Sequence, residues 1–418
     1  MKTNETDIKE KINYCAGCVI KPCQVGCPLN NDITGFIKLL KENKKEEAYK
    51  LLSETTVLPS VCGRICPHEK QCQGSCAKGV SFDPVQIGDI EAYLGDLAIE
   101  NNWKISKAEK RTEKIAVIGA GPSGLTCAGF LARKGYNVTI YEKHGYLGGI
   151  LAHGIPEFRL NRDVLEKTMK RIIDLDIKVK LNMELGKDYT LEQLLKKYDA
   201  IFLGFGANVS RKMNIEGEDL EGVYGGNELL ENKLHPDYNG KKVAVIGGGN
   251  VAMDTARTIK KLGADEVTII YRRSEEEMPA ELKEIKEAKE ENIKFLFQTN
   301  ILKIMGDNKV EKIECIKTEL IQKENEQRLS PVNIENSEFL MDMDYVVMAV
   351  GAKTEAGLLD LLGLELNSRG YIKTNLENQT SNVKVFAGGD LIGNKATVAW
   401  AARSGRNAAD AIERFLEK

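Results

Sequence analysis

The sequence predicts an α/β chain with two Rossmann-like units and a helical prefix. Three observations carry this. Eight of the ten cysteines lie in the first 76 residues. Two segments, opening at Lys114 and Lys241, repeat one order: apolar strand, glycine turn, helix, β-branched strand. The last 75 residues add the strand "DYVVMAVGA", the turn "VFAGGD" and a helical run from about Ala396.

The prefix comes first. Cys15, Cys18, Cys23 and Cys27 form one group, and Cys62, Cys66, Cys72 and Cys76 a second. Helical spacing from about Ile33 to Leu52 separates them. "WKISKAEKRTEK" reads as a polar linker. Domains are therefore expected at 1–110, at 111–224 with 341–418 as one discontinuous unit, and at 225–340.

Bulk properties narrow the class. The 418 residues are 42% hydrophobic and 29% charged, with a formal net charge of -3. That balance gives no global bias toward nucleic acid or a membrane surface. The polar, mixed-charge start MKTNETDIKEK is not expected to act as a leader, and no apolar run approaches the roughly 20 residues that span a bilayer. A cytoplasmic location is expected, and in that reducing compartment cysteines serve metals or catalysis more often than disulfides.

Gly119, Gly121 and Gly124 follow a strand and open a helix at Pro122 and Ser123, and Glu142 ends the next strand. The first glycine permits a tight turn, the second admits a pyrophosphate and the third lets helix and strand approach. Free amides at the helix start would face the phosphates. Glu142 would accept hydrogen bonds from ribose hydroxyls and exclude a 2′-phosphate. The second loop has Gly247, Gly249, Asn250, Val251 and Ala252, with alanine in the third place. Arg272 and Arg273 stand where the acid would be, suited to a 2′-phosphate and hence to NADPH. The acidic run Glu275 to Glu277 leaves open that both arginines are solvated surface charges.

Two nucleotide sites in one chain divide between a flavin and a pyridine nucleotide. Gly389 and Asp390 fit the flavin half, the aspartate holding a ribityl hydroxyl, with Thr397 at the start of a helix aimed at the pyrimidine end. Lys395 and Arg406 are further candidates to shape that site. Hydride transfer demands positioning more than proton transfer, so no general acid or base is assigned.

The cysteine spacings are C-x2-C-x4-C-x3-C-P and C-x3-C-P-x4-C-x3-C. Zinc favours close pairs across a longer loop. Iron–sulfur clusters favour close runs, a remote fourth ligand and a following proline. The pattern is nearer the second, with zinc and free thiols as the alternatives. A flavin accepts a hydride and releases single electrons, which links such clusters to an NADPH site. Cys127 and Cys315 stand alone and are expected to be buried apolar residues.

Together "VIGAGPSGL", "GGILAHGIPEFRL", "IEGEDLEGVYGG", "IGGGNVAMD", "YRRSEEEMPA", "FAGGD" and both cysteine groups resemble the small (β) subunit family of NADPH-dependent glutamate synthase. The wider group includes the NADPH-side subunit of ferredoxin:NADP transhydrogenases, sulfide dehydrogenase subunits and the N-terminal half of dihydropyrimidine dehydrogenase. The resemblance implies a glutathione-reductase-like plan, FAD, NADPH and two [4Fe–4S] clusters. It assigns Cys15, Cys18, Cys23 and Cys76 to one cluster. Cys27, Cys66, Cys72 and Glu91 go to the other, where spacing alone nominates Cys62 in place of Glu91. It also sets the flavin ring near Gly148 and Gly149. Thioredoxin reductase is similar in plan, but the pyridine-nucleotide domain here has no Cys-x-x-Cys pair.

Three functions follow. The first is the electron-input subunit of a glutamate synthase, joined to a larger catalytic subunit. The second is half of a transhydrogenase, sulfide or pyrimidine reductase complex. The third is a nucleotide-binding redox sensor without turnover.

Overall fold

Hydrophobic spacing in the prefix becomes six helices: α1 (Glu5–Tyr14), α2 (Pro22–Gly26), α3 (Ile33–Lys41), α4 (Lys45–Ser53), α5 (Pro59–Ile65) and α6 (Ile87–Glu100). They belong to a computed structural model that describes residues 5–323, 328–393 and 395–417. The single helical stretch expected from Ile33 to Leu52 is two helices. Asn43, at φ 59°, breaks it in a left-handed turn of a kind asparagine tolerates. α3 starts on Asp32, whose carboxylate accepts from the Gly35 amide at 3.0 Å, and it buries Ile33, Phe36, Ile37 and Leu40. α5 and α6 touch backbone to backbone, since a Cβ on Gly63 would lie 2.4 Å from the Ala92 nitrogen. That contact sets Cys62 and Cys66, on and after α5, beside the buried face of α6.

The chain forms two compact units, Met1–Ala207 with Thr354–Lys418, and Asn208–Lys353. In the first, the parallel sheet runs Val385–Ala387, β4 (Ala200–Leu203), β1 (Lys114–Ile118), β2 (Asn137–Tyr141), β3 (Lys178–Lys180). Helix α7 (Pro122–Arg133) follows β1 and packs against the C-terminal helix Val398–Leu416. All of β1 but its first residue is buried, as a central parallel strand covered on both faces requires. The expected linker is pinned to this unit: Ala108 N donates to Arg133 O at 2.7 Å, and Arg111 N to Gly135 O at 2.9 Å.

The second unit repeats the plan. Its parallel sheet runs Val223–Gly225, Tyr345–Met348, Lys242–Ile246, Glu266–Tyr271, Lys294–Phe297. An antiparallel sheet of Thr299–Met305, Lys312–Ile321, Ser330–Asn333 and Phe339–Asp342 is inserted before the Tyr345 strand. The unit is wider at both ends than the expected 225–340. Strands Val223–Gly225 and Tyr345–Met348 both complete its sheet, and Val209–Ser210 pairs antiparallel with Ala352–Lys353 where the chain enters and leaves. Among the described residues, no helix is long and apolar enough to cross a membrane.

Candidate functional site

In each unit the glycine loop leaves the strand where the sheet order reverses, the place where open α/β sheets bind ligands. Gly119 has φ +97°, and a Cβ on Gly124 would lie 1.9 Å from the Gly119 carbonyl oxygen, so the fold itself demands both glycines. Gly121 is different. Its φ of -76° suits any residue, and a Cβ there would meet no protein atom within 4 Å. The second loop repeats this at Gly249, with φ -94° and only Pro279 Cγ at 3.9 Å. Each middle glycine keeps open a space that the protein does not fill, which fits a pyrophosphate against the backbone.

Glu142 is buried, its carboxylate accepting from Ala120 N at 2.8 Å and His144 N at 2.9 Å. These bonds fix it at the mouth of the loop and leave lone pairs for ribose hydroxyls. Gly148 N donates to Ala120 O at 3.0 Å, and Gly149 packs over Gly121. The Ser123 hydroxyl lies 3.1 Å from that of Ser404, which accepts from Gly389 N at 2.7 Å. Ser123 thus joins the glycine loop to the "FAGGD" turn. Desolvation pushes the Asp390 carboxyl up to about 6. A hydroxyl donor such as a ribityl chain would offset that cost. Thr397 caps the C-terminal helix, accepting from Trp400 N at 3.4 Å, and also meets Gln71 Nε2 at 3.4 Å. Lys395 Nζ sits 5.3 Å from the Trp400 ring centroid. Arg406 points instead to the prefix, where Nη1 donates to Leu29 O at 2.9 Å and Thr55 O at 2.7 Å.

In the second unit Ala252 is fully buried, and the Asn250 side chain holds Glu281, with its Oδ1 accepting from Glu281 N at 3.0 Å. Val251 is half-buried on the same first turn. Arg272 is exposed, and Arg273 Nε donates to Leu329 O at 3.0 Å. The neighbouring acids pair elsewhere, Glu275 with Lys289 at 2.6 Å and Glu277 with Arg328 at 2.9 Å. A third guanidinium, Arg328, therefore stands at this strand end, with Nη2 donating to the Tyr271 hydroxyl at 2.8 Å. It lies just before the Ser330–Asn333 strand, more than fifty residues from Arg272 and Arg273, so no local motif signalled it.

The prefix sorts its thiols into two sets. Cys15, Cys18, Cys23 and Cys76 line one pocket near the surface. Desolvation, with Cys15 and Cys76 close by, pushes the Cys23 thiol up to about 11. Cys27, Cys66 and Cys72 are buried around Glu91, which is 4% exposed on the inner face of α6 and so is no solvent-facing helix glutamate. Desolvation and Glu91 push Cys27 up to about 12 and Cys72 well up, while Glu91 itself is raised to about 8 by burial. Cys66 is raised first by a hydrogen bond with Cys62, so Cys62 lies against the same set. Buried acidic groups held together suit a cationic cluster whose binding releases their protons. Among the described residues, no three cysteine sulfurs lie within 4.8 Å of one another. Zinc–thiolate bonds of about 2.3 Å would draw them to roughly 4 Å. The donors thus fit a larger iron–sulfur cluster better than a single zinc ion. Cys127 and Cys315 are both fully buried, far in sequence from either set.

No sequence motif marks Asn31 and Thr55, which tie the first cysteine loop to Glu91, or Gln71, which meets Thr397 on the C-terminal helix. Asn31 Nδ2 lies 3.3 Å from Glu91 Oε1, and the Thr55 hydroxyl lies 2.6 Å from Asn31 Oδ1. Single polar residues at loop positions carry no periodicity that would have marked them.

These features define a flavin-dependent pyridine-nucleotide oxidoreductase with an N-terminal iron–sulfur domain. Residues 113–406 match the pyridine nucleotide-disulphide oxidoreductase family, and residues 1–103 match the dihydropyrimidine dehydrogenase domain II, 4Fe-4S cluster family. The chain belongs to the glutamate synthase small-chain family. It is 37% identical to the glutamate synthase [NADPH] small chain of Escherichia coli (strain K12), over 99% of this chain and 92% of that one. It is 34% identical to the NADPH-Fe(3+) oxidoreductase subunit beta of Geobacter sulfurreducens (strain DL-1 / KN400), over 95% of this chain and 64% of that one. By structure it is similar to FprA of Mycobacterium tuberculosis in complex with NADPH, with TM-score 0.66 and 20% identity over 73% of this chain and 85% of that one. That last likeness concerns the fold.

Proposed function

We propose that the chain is the NADPH-oxidising, electron-input subunit of a glutamate synthase, joined to a larger catalytic subunit. The observation that carries this is the near full-length identity to the Escherichia coli small chain, in a molecule that keeps two ligand-shaped glycine loops and two thiol sets. When bound, a flavin supplies the conversion of a two-electron donor into single electrons.

The residues divide that work by position. Gly121 and Gly249 leave room for pyrophosphates, and Glu142 and Asp390 offer acceptors for the hydroxyls of a flavin dinucleotide. Arg272 and Arg273 supply cationic forks for a 2′-phosphate. Gln71, next to Cys72, bonds to Thr397 at the head of the C-terminal helix, which supports a path between the proposed flavin site and the buried thiols. Cys15, Cys18, Cys23, Cys76 and Cys27, Cys66, Cys72 with Glu91 are the two proposed ligand sets. Val19, Ile20, Val25, Val80 and Phe82, close in sequence to the outer cysteines, are all at least 72% exposed. Exposed large apolar side chains in the loops that carry the outer thiols suit a protein partner better than water.

The test is to purify tagged wild type and an Arg272→Ser/Arg273→Ser variant anaerobically from the source cell. A larger subunit should co-purify with both. The variant should lose about 10- to 100-fold in kcat/KM for NADPH, because charge-assisted bonds contribute about 1.5–3 kcal/mol, while NADH changes little. Wild type without a larger partner, or equal losses for both nucleotides, would contradict the assignment.

A further inference from the structure

The buried ligand set contains one carboxylate among thiols, and its surroundings are specific. Asn31 is 1% exposed and follows Cys27 by four residues, before α3. Its amide nitrogen lies 3.3 Å from Glu91 Oε1 and its amide oxygen 2.6 Å from the Thr55 hydroxyl. With Glu91 ionised, as a metal ligand must be, an amide oxygen turned toward it would set acceptor against acceptor, whereas the NH2 group donates. Thr55 is held in turn, because Arg406 Nη1 donates to its carbonyl oxygen at 2.7 Å and to Leu29 O at 2.9 Å. Arg406 lies on the C-terminal helix, whose cap Thr397 meets Gln71. A continuous hydrogen-bonded chain therefore runs from that helix through Thr55 and Asn31 to Glu91.

We propose that Asn31 is a positioning residue for Glu91, holding one carboxylate oxygen by its amide so that the side chain presents its other oxygen to iron. The proposal rests on Cys27, Cys66, Cys72 and Glu91 forming one ligand set. A carboxylate on a buried helix face has several rotamers, and a fixed donor on one oxygen removes the alternatives. Outer partners of this kind orient ligands, and losing them typically costs about 10- to 100-fold in metal affinity. Cys62, beside Cys66, then acts as a neighbour of the set and not as its fourth ligand.

The test uses the anaerobically purified full chain carrying its flavin and clusters. Iron content, resistance of iron to a chelator, and low-temperature EPR of the reduced protein are compared in Asn31→Leu, Thr55→Val, Glu91→Ala and Cys62→Ala. Asn31→Leu should release the iron of one cluster about tenfold faster or more and change that cluster's EPR spectrum. The other cluster and the flavin content should be unchanged. Thr55→Val, which keeps the shape and removes only the hydroxyl, should change the same spectrum in the same direction by less. Glu91→Ala should lose that cluster and Cys62→Ala should keep it. If Glu91→Ala removes the cluster while Asn31→Leu and Thr55→Val leave its spectrum and iron release as in wild type, Asn31 has no positioning role. If Glu91→Ala keeps the cluster and Cys62→Ala loses it, the ligand set itself is wrong and the inference falls with it.

Discussion

Alanine at Gly121 and alanine at Gly124, three residues apart, should fail in opposite ways. At Gly124 the new methyl would stand 1.9 Å from the Gly119 carbonyl oxygen, a backbone atom that cannot yield without opening the turn between β1 and α7. Helix propensity alone would favour alanine by roughly 1 kcal/mol. Overpacking of this severity costs about 3 kcal/mol or more, so destabilisation wins and the melting temperature should fall by on the order of 5 °C. At Gly121 the methyl meets no protein atom within 4 Å. That variant should melt within a degree or two of wild-type apoprotein, since a surface change of this kind alters stability by about 0.5 kcal/mol, and yet purify without flavin. Thermal melts of apoprotein and flavin absorbance of the purified variants check both. A Gly121→Ala protein with full flavin content would show that the open space is not the pyrophosphate site.

Cys15→Ser and Cys27→Ser should each remove about half of the iron, but from different clusters. Cys15 belongs to the pocket with Cys18, Cys23 and Cys76, near the surface, while Cys27 lies with Glu91, Cys66 and Cys72 inside. EPR of the reduced variants should show complementary spectra that together rebuild the wild-type signal. The buried loss should be the more damaging to stability, because serine leaves a hydroxyl and unneutralised acidic neighbours in an apolar core. Two variants with the same residual spectrum would contradict the division.

Much of this was legible in the sequence because local chemistry and local spacing coincide there. The strand–turn–helix form of both glycine loops stands where the sequence puts it, since a strand, spaced glycines and a helix start lie within a dozen residues. The second unit's bounds did not. Val223–Gly225 joins its sheet only by pairing with Tyr345–Met348, more than a hundred residues later, and nothing near residue 208 announces the entry. Helical spacing concealed the break at Asn43, because the apolar stripes of α3 and α4 continue across it. The thiol sets are a mixed case. Cys62 and Cys66 are i and i+4, so spacing alone grouped them, whereas Glu91 reaches the same set only because Gly63 lets α5 and α6 approach. Arg406, expected beside a flavin, serves the prefix instead, since its partners are carbonyl oxygens more than 350 positions away in sequence.

In the proposed function, electrons from NADPH reach the cysteine module through the flavin. Anaerobic titration of the isolated chain with NADPH, following flavin absorbance and low-temperature EPR on the same samples, tests it most directly. The expected result is bleaching of the flavin and uptake of more than one NADPH per flavin, with iron–sulfur signals growing as the excess is taken up. Uptake that ends at one NADPH per flavin with no iron–sulfur signal, or no bleaching at all, would contradict it.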